Sequence, residues 1–239
     1  MNLSGTDFNR LYLLQDKFLS WFHTLDYPFY LTGGTALGRF YLDHRFSEDL
    51  DFFVNNDPYY RGYIGEIMNK ITSHFSVNID ESLLTEDYAR FFVNEEDISL
   101  KVELINDVPY YAGKALPYRY GKVDNPLNIL SNKLTSIVGR DEPKDMFDII
   151  HISCSYSFDW KEVFHHAKQK VVINELDVEQ RMISFPVKWF QNVNWLLTAP
   201  DTDSLEPLVK RIADDFLLGR ANSLGEGKTP IEQALPVPF

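Results

Sequence analysis

Phe29-Tyr30-Leu31-Thr32-Gly33-Gly34-Thr35-Ala36-Leu37 and, further on, Arg45-Phe46-Ser47-Glu48-Asp49-Leu50-Asp51-Phe52-Phe53-Val54 decide how this chain is read. The first stretch is a short strand that runs into two glycines and a threonine and then into a helix. A helix start aims unpaired backbone N–H groups at one point, which suits a phosphate, and glycine lets a ligand come close to the backbone. A purely structural turn has the same appearance. In the second stretch Asp49 and Asp51 lie two apart on a strand predicted over 49–54, so both side chains leave the same face. Two such carboxylates repel unless a cation or a basic group sits between them. Oxygen-only ligation of this kind suits Mg²⁺ or Mn²⁺, with nucleotide phosphates and water completing the shell. The competing reading is a solvated acidic strand end. Phe52, Phe53 and Val54 follow directly, however, and set the pair at the mouth of a buried strand, where idle acids are costly. Arg45 serves either as a triphosphate contact or as an ion-pair partner. Ser47 is placed to hold an aspartate or a phosphate oxygen, and His44 offers little by itself.

Around this centre the chain alternates. Leu11, Leu14, Phe18, Trp21, Phe22 and Leu25 recur at helical spacing, which predicts an amphipathic helix over about 7–25. Residues 36–42 read as helix, and Pro58 opens another helix with Ile64, Ile67, Met68 and Ile71 on one face. Strand-like stretches follow at 77–79, 89–93 and 98–105, the last with Leu100, Val102 and Leu104 alternating with Lys101, Glu103 and Ile105. Beyond Asp107 the texture changes to an extended connection. From Asn125-Pro126 helical periodicity takes over, over 126–139, 143–153, 159–172, 177–191 (interrupted by Pro186) and 205–218. The predicted class is therefore α+β: a mixed-sheet core over 1–120, then a helical portion over 121–239. Its Gly- and Pro-rich tail from about 220 is either an ordered arm or a frayed end.

A third carboxylate would complete a two-metal site, and Glu103 is the candidate, as metal ligand or general base. Lys101 shares its face, so an ion pair is the alternative. On the helix over 126–139, Leu130, Leu134 and Ile137 form the apolar stripe and Lys133 flanks it, placed to reach a cleft and meet a phosphate as a point charge. Asp145 and Asp148 share a face of the next helix.

Gly33-Gly34-Thr35-Ala36-Leu37 with Arg45-Phe46-Ser47-Glu48-Asp49-Leu50-Asp51-Phe52-Phe53 resembles the nucleotidyltransferases of the DNA polymerase β superfamily, in particular the AbiEii/AbiGii toxin family. Lys133, followed by Arg140, Lys144, Asp145 and Asp148, resembles that family's helical lysine and R-x-x-x-[RK]-D-x-x-D pattern. The likeness runs from about Phe29 to Ile152. It departs at Glu103, where the family often has Asp, and at Thr35, where many members have Ser; both changes keep an oxygen. The resemblance implies transfer of a nucleoside monophosphate from an NTP to an acceptor hydroxyl. Asp49, Asp51 and Glu103 would hold Mg²⁺ or Mn²⁺, and Gly33, Gly34, Thr35, Arg45, Ser47 and Lys133 would meet the nucleotide. Asp148 joins the site and orients Lys133. It also implies a tRNA 3′ end as acceptor and a cognate antitoxin as partner.

A net charge of −12 argues against a protein that coats nucleic acid non-specifically, since phosphate neutralisation needs Lys and Arg. The basic cluster Lys161, His165, His166, Lys168 and Lys170 reads either as an RNA-facing patch or as a solvated helix face. The single cysteine, Cys154, excludes an internal disulfide and a multi-cysteine metal site. No apolar run approaches a membrane span and the start lacks a signal-peptide pattern, so the cytoplasm is the expected location. Two rivals remain: the same chemistry on a small molecule or a protein side chain, and a nucleotide-binding module without catalysis.

Overall fold

The alternation along two strands, Leu50–Asn55 and Ile98–Asp107, builds the site, because it sends every second side chain to the core and the others to a cleft. In the computed structural model, which describes residues 5–196, 198 and 200–237, the elements follow in this order. Helix α1 (Gly5–His23) leads to β1 (Tyr30–Thr32) and directly to α2 (Gly33–Leu37), which widens into a π-helical turn over Gly38–Leu42. Then come β2 (Leu50–Asn55), α3 (Tyr60–Ile71), β3 (Ser76–Val77), β4 (Leu83–Leu84), β5 (Tyr88–Glu95) and β6 (Ile98–Asp107). A hairpin of β7 (Leu116–Tyr118) and β8 (Gly121–Val123) precedes α4 (Pro126–Gly139), α5 (Pro143–Ser155), β9 (Tyr156–Ser157), α6 (Trp160–Lys168), α7 (Glu175–Ile183), α8 (Thr202–Leu217) and β10 (Thr229–Pro230).

The sheet is mixed, in the order β3-β5-β6-β2-β1-β8-β7, with β4 added on β5. Strands β2 and β6 run parallel, with Asp51 beside Glu103 and Phe53 beside Ile105; β1 and β2 are antiparallel, with Thr32 beside Asp51. Leu50, Phe52 and Val54 of β2 and Leu100, Val102 and Leu104 of β6 are buried on one face. There they meet Phe8, Leu11, Leu14, Phe18 and Phe22 of α1; the Phe22 ring lies 4.3 Å from Phe52 and the Phe18 ring 6.2 Å from Phe91. Burying each large apolar side chain contributes about 1.5–3 kcal/mol, so this face anchors the strands that carry the acids. The opposite face, bearing Asp51 and Glu103, is left for α4 and α5 to wall off.

Helix α4 starts where expected: the Asn125 side chain accepts the Asn128 N–H at 2.9 Å, and Pro126 occupies the first turn. Its buried stripe includes Leu127, Leu130, Leu134 and Ile137. Several boundaries differ from the sequence reading for local reasons. Helix α2 begins at Gly33 instead of Ala36, because Gly33 at φ +69 turns the chain from strand into helix without a linker. The extended connection after Asp107 contains the β7–β8 hairpin, whose three-residue strands are too short to show a period. Asn174 caps α7, so the helix starts at Glu175 and α6 stops at Lys168. Pro186 does break the following helix, leaving a 3₁₀ turn over Val187–Asn192.

The sheet continues past residue 120, because β8 lies parallel to β1, and one hydrophobic cluster runs from Phe8 to Ala234. The tail is an ordered arm. Strand β10 pairs with β9, Ile231 and Ala234 are buried, and the Val237 N–H donates to the Phe40 carbonyl at 2.8 Å. Cys154 is half-buried. Among the described residues, no helix is long and apolar enough to cross a membrane.

Candidate active site

Between the acidic face of the sheet and helices α4 and α5 lies a cleft of about 460 Å³. Its floor is Asp49, just before β2, with Asp51, Lys101 and Glu103. One end is edged by Gly33, Gly34 and Ser47, and the helical wall carries Asn132, Lys133, Arg140, Lys144 and Asp145. Sheet pleating explains the floor, since Asp51 and Glu103 are cross-strand neighbours pointing away from the core.

Like charge so crowded needs compensation, and Lys101 supplies it. Its ammonium lies 2.9 Å from Asp49 and 2.9 Å from Glu103, so the ion pair anticipated for Glu103 exists and extends to Asp49. Burial would raise the Glu103 carboxyl, but hydrogen bonds from the Tyr88 hydroxyl and from Lys101 outweigh it and hold it below its ordinary value. At Asp51 the Lys101 charge is outweighed. Burial, then the nearby Glu103 and Asp49 charges, push it up to about 7. Asp49 is also raised, chiefly by burial and in spite of Lys101.

The two glycines are needed for a reason other than phosphate approach alone. A Cβ on Gly33 would stand 2.6 Å from the Asp51 carboxylate, and one on Gly34 would strike the Arg45 guanidinium and sit 3.0 Å from the Ser47 hydroxyl. The backbone thus comes close to this chain's own charged groups. Thr35 does not line the cleft: it is fully buried and its hydroxyl donates to the Asp49 carbonyl, fixing the residue just before β2. Its oxygen is spent on the scaffold, so it offers nothing to a nucleotide.

Behind the cleft wall lies a buried charge cluster. Asp148 is 0% exposed and accepts hydrogen bonds from Arg45 Nε at 2.6 Å and Nη2 at 2.8 Å, while Lys133 Nζ stands 2.6 Å away and His44 Nε2 2.8 Å away. Burial would raise Asp148, but Arg45 and Lys133 outweigh it and hold the carboxyl well below its ordinary value. Arg45 makes the ion pair, with its guanidinium on Asp148 and, through Nη1, on the Phe46 carbonyl at 2.9 Å, and it also lines the cleft. Lys133 is gripped from two sides, by Asp148 and by Asp145 at 2.7 Å, while it edges the cleft. Burial works against its charge and the two aspartates restore it.

Sequence reasoning did not single out Lys101, Tyr88 or Asn132 as site residues, and it gave Arg140 and Lys144 only as members of the family pattern, without a role. Arg140 pairs with Asp145 at 2.7 Å and Lys144 with Glu48 at 2.5 Å. The alternation that exposed Glu103 also put Lys101 and Ile105 on its face; that was the available signal. Tyr88 arrives by strand pairing across β5–β6 and had none. The basic helix disperses. Lys168 faces Glu175 at 3.3 Å, His166 bonds Tyr110, and Lys170 turns inward to Asn128. Lys170 is thus withdrawn from the cluster, while Lys161, His165 and Lys168 stay exposed on the surface. Among the described residues, no group of three or more His, Cys, Asp or Glu side chains is already converged to hold a metal ion.

A mixed sheet with a Gly-Gly turn beside paired aspartates, faced by a helical lysine, defines a nucleotidyltransferase-type architecture. Solved structures share it. The Helicobacter pylori protein JHP933 superposes with a TM-score of 0.61 at 20% identity, over 91% of this chain and 94% of that one. MenT4, a nucleotidyltransferase toxin from Mycobacterium tuberculosis, gives 0.56 at 15% identity, over 89% and 84%. At such identities the likeness shows the fold. The model of the nucleotidyl transferase AbiEii toxin family, of a type IV toxin–antitoxin system, matches residues 18–181, and the chain belongs to that family. It is a nucleotidyltransferase. No curated protein matches it.

Proposed function

We propose that this protein transfers a nucleoside monophosphate from an NTP to an acceptor hydroxyl, with Mg²⁺ or Mn²⁺ held by Asp49, Asp51 and Glu103. The observation that carries the reading is the gathering of those acids on one cleft floor, edged by Gly33 and Gly34 and faced by Lys133. The donor set suits a hard divalent cation. It is all oxygen, and burial with the Glu103 and Asp49 charges pushes the Asp51 carboxyl up to about 7, a repulsion that a divalent cation would relieve. Lys101 now neutralises Asp49 and Glu103, and it must swing aside for those oxygens to ligate. A bound cation would supply charge neutralisation at the α-phosphate.

In the reaction, the acceptor oxygen forms a bond to the α-phosphorus while the bond to the β-phosphate bridging oxygen breaks, and pyrophosphate leaves. Glu103, fixed by Tyr88, is the group proposed to take the acceptor proton. Lys133, pre-positioned by Asp145 and Asp148, meets the charge that develops on the leaving phosphates, and Ser47 with the N–H groups at the start of α2 faces the same end. Arg45 and Asp148 act by holding Lys133 and the Gly34 turn in place.

On the family resemblance, the acceptor is a tRNA 3′ end, and the toxin family supports a cognate antitoxin as partner. Incubation with each labelled NTP, Mg²⁺ and total cellular RNA tests the proposal: label should enter RNA, and Asp51→Ala should abolish it. Unchanged transfer by both Asp49→Ala and Asp51→Ala would sink the site assignment. Label on protein or on a small molecule instead would remove RNA as acceptor and leave the transfer chemistry standing.

A further inference from the structure

The cleft is polar at one end and apolar at the other. Beyond Asp51 and Glu103, two residues along the same strands and on the same face, come Phe53 and Ile105, which are cross-strand partners. Ile129 of α4 lines this end as well, and Asn132 lies one turn further along the same helix. The cationic groups Lys133, Arg140 and Lys144 lie farther along α4, past it into α5, and thus toward the other end. A nucleotide is graded in the same way, with a charged triphosphate and a flat base whose faces are apolar and whose edge is polar.

The amide of Asn132 is not free to choose which end it shows. Lys170 Nζ donates to Asn132 Oδ1 and, at 2.5 Å, to Asn128 Oδ1. An ammonium has no acceptor, so it fixes both amides with their carbonyls toward itself. Asn128 is locked a second time, since its Nδ2 donates to the buried Asp124 at 2.9 Å and its Oδ1 also accepts the Ala112 N–H at 3.1 Å. Asp124 in turn accepts the hydroxyls of Thr32, the residue before Gly33, and of Tyr111 at 2.6 Å. Burial lowers the Lys170 ammonium to about 8, and the nearby Asp124 and Asp107 carboxylates offset this only in part. The outcome is that Asn132 Nδ2, a pure donor, is directed away from Lys170 on a helix face that lines the cleft.

We infer that Phe53, Ile105 and Ile129 form the slot for the nucleobase, that Asn132 reads its edge as a fixed donor to a base nitrogen or carbonyl acceptor, and that Lys170 is the positioning residue that sets the amide. The inference rests on the nucleotidyl-transfer reading and deepens it by placing the base. It also gives Lys170 a task different from gripping RNA. Asn132 recognises the base and takes no part in bond making, and Lys170 acts only through it.

Binding of the four NTPs and of ribose 5-triphosphate, which lacks a base, is measured by calorimetry on wild type, Asn132→Ala and Lys170→Met. Asn132→Ala removes the donor without adding charge. It should weaken the best-bound NTP roughly three- to tenfold, the worth of one hydrogen bond, and leave ribose 5-triphosphate within about twofold. Lys170→Met, which frees the amide to flip, should weaken the same NTP, narrow its preference over the other three, and raise KM while kcat holds. Equal weakening of NTP and ribose 5-triphosphate by Asn132→Ala would put the amide on sugar or phosphate and overturn the base assignment. An unaffected NTP would overturn it too. A Lys170→Met enzyme with lowered kcat and unchanged base preference would make Lys170 merely structural. Wild type that binds neither compound defeats nucleotidyl transfer itself, a result distinct from the others.

Discussion

Replacing Asp148 by Asn removes the one charge that Arg45, Lys133 and His44 converge on, while nearly preserving volume. The carboxylate is fully buried and receives two hydrogen bonds from Arg45 at 2.6 and 2.8 Å, with the Lys133 ammonium at 2.6 Å. The amide keeps one acceptor and turns an N–H₂ toward donors. Arg45, whose side chain is 2% exposed, then has no carboxylate, whereas Lys133 keeps Asp145. Breaking a buried pair by removing one partner costs about 3–5 kcal/mol. At roughly 2–4 °C per kcal/mol for a domain of this size, Tm should fall by about 6–20 °C. Asp145→Asn is the control. It takes one of the two aspartates from Lys133, which keeps Asp148, and releases Arg140, whose side chain is 61% exposed, so no buried cation is left without a carboxylate and it should cost less. Thermal unfolding followed by circular dichroism, with urea melts, measures both. The pH dependence adds a second readout. Asp148 is held well below its ordinary value, so its contribution is complete above about pH 4 and is lost as pH falls through the depressed value. The gap between wild type and Asp148→Asn should be constant from pH 5 to 8 and close in stronger acid. A variant within about 1 kcal/mol of wild type at pH 7 would refute the reasoning, because the cluster would then be contributing no more than a surface pair.

Asp51 has the opposite sign: its pKa is raised to about 7, so the folded protein holds a proton there that the unfolded chain releases near pH 4, and stability is lost as pH rises between those values. Metal-free Asp51→Asn should therefore be more stable than wild type at pH 8, by roughly 1–3 kcal/mol, with the advantage shrinking below pH 7 and vanishing near pH 4; urea melts across that range check it, and a pH-independent difference contradicts it. Lys101→Met removes the ammonium between Asp49 and Glu103, and calorimetry should find Mn²⁺ bound more tightly without nucleotide; weaker binding would mean Lys101 holds the ligands instead of competing with the metal. Gly34→Ala drives a methyl into the buried Arg45 guanidinium and should cost about 1–3 kcal/mol in thermal melts, whereas Gly62→Ala, with open space around it, should not destabilise.

Much of the scaffold is legible one residue at a time. The period of two along β6 put Glu103 on the face opposite Leu100, Val102 and Leu104, and the Asn125-Pro126 pair marked the start of α4, because pleat and cap are local properties of the backbone. The Gly33-Gly34 turn and the Asp49/Asp51 pair were visible for the same reason, being short-range patterns of conformation and charge.

Which partner each charge meets was not local, and only the tertiary structure decided it. Arg45 and Asp148 lie 103 residues apart in sequence, Lys144 and Glu48 96, and Tyr88 reaches Glu103 only once β5 pairs with β6. Thr35 carries an oxygen at the expected place, yet the fold turns it onto the Asp49 carbonyl; Lys170 belongs to a basic run, yet it points inward to Asn128 and Asn132. A sequence states the charge and spacing of such groups. Whether each faces water, a ligand or an opposite charge depends on packing between distant elements, because buried polar groups must be satisfied by whatever the fold brings within hydrogen-bond reach.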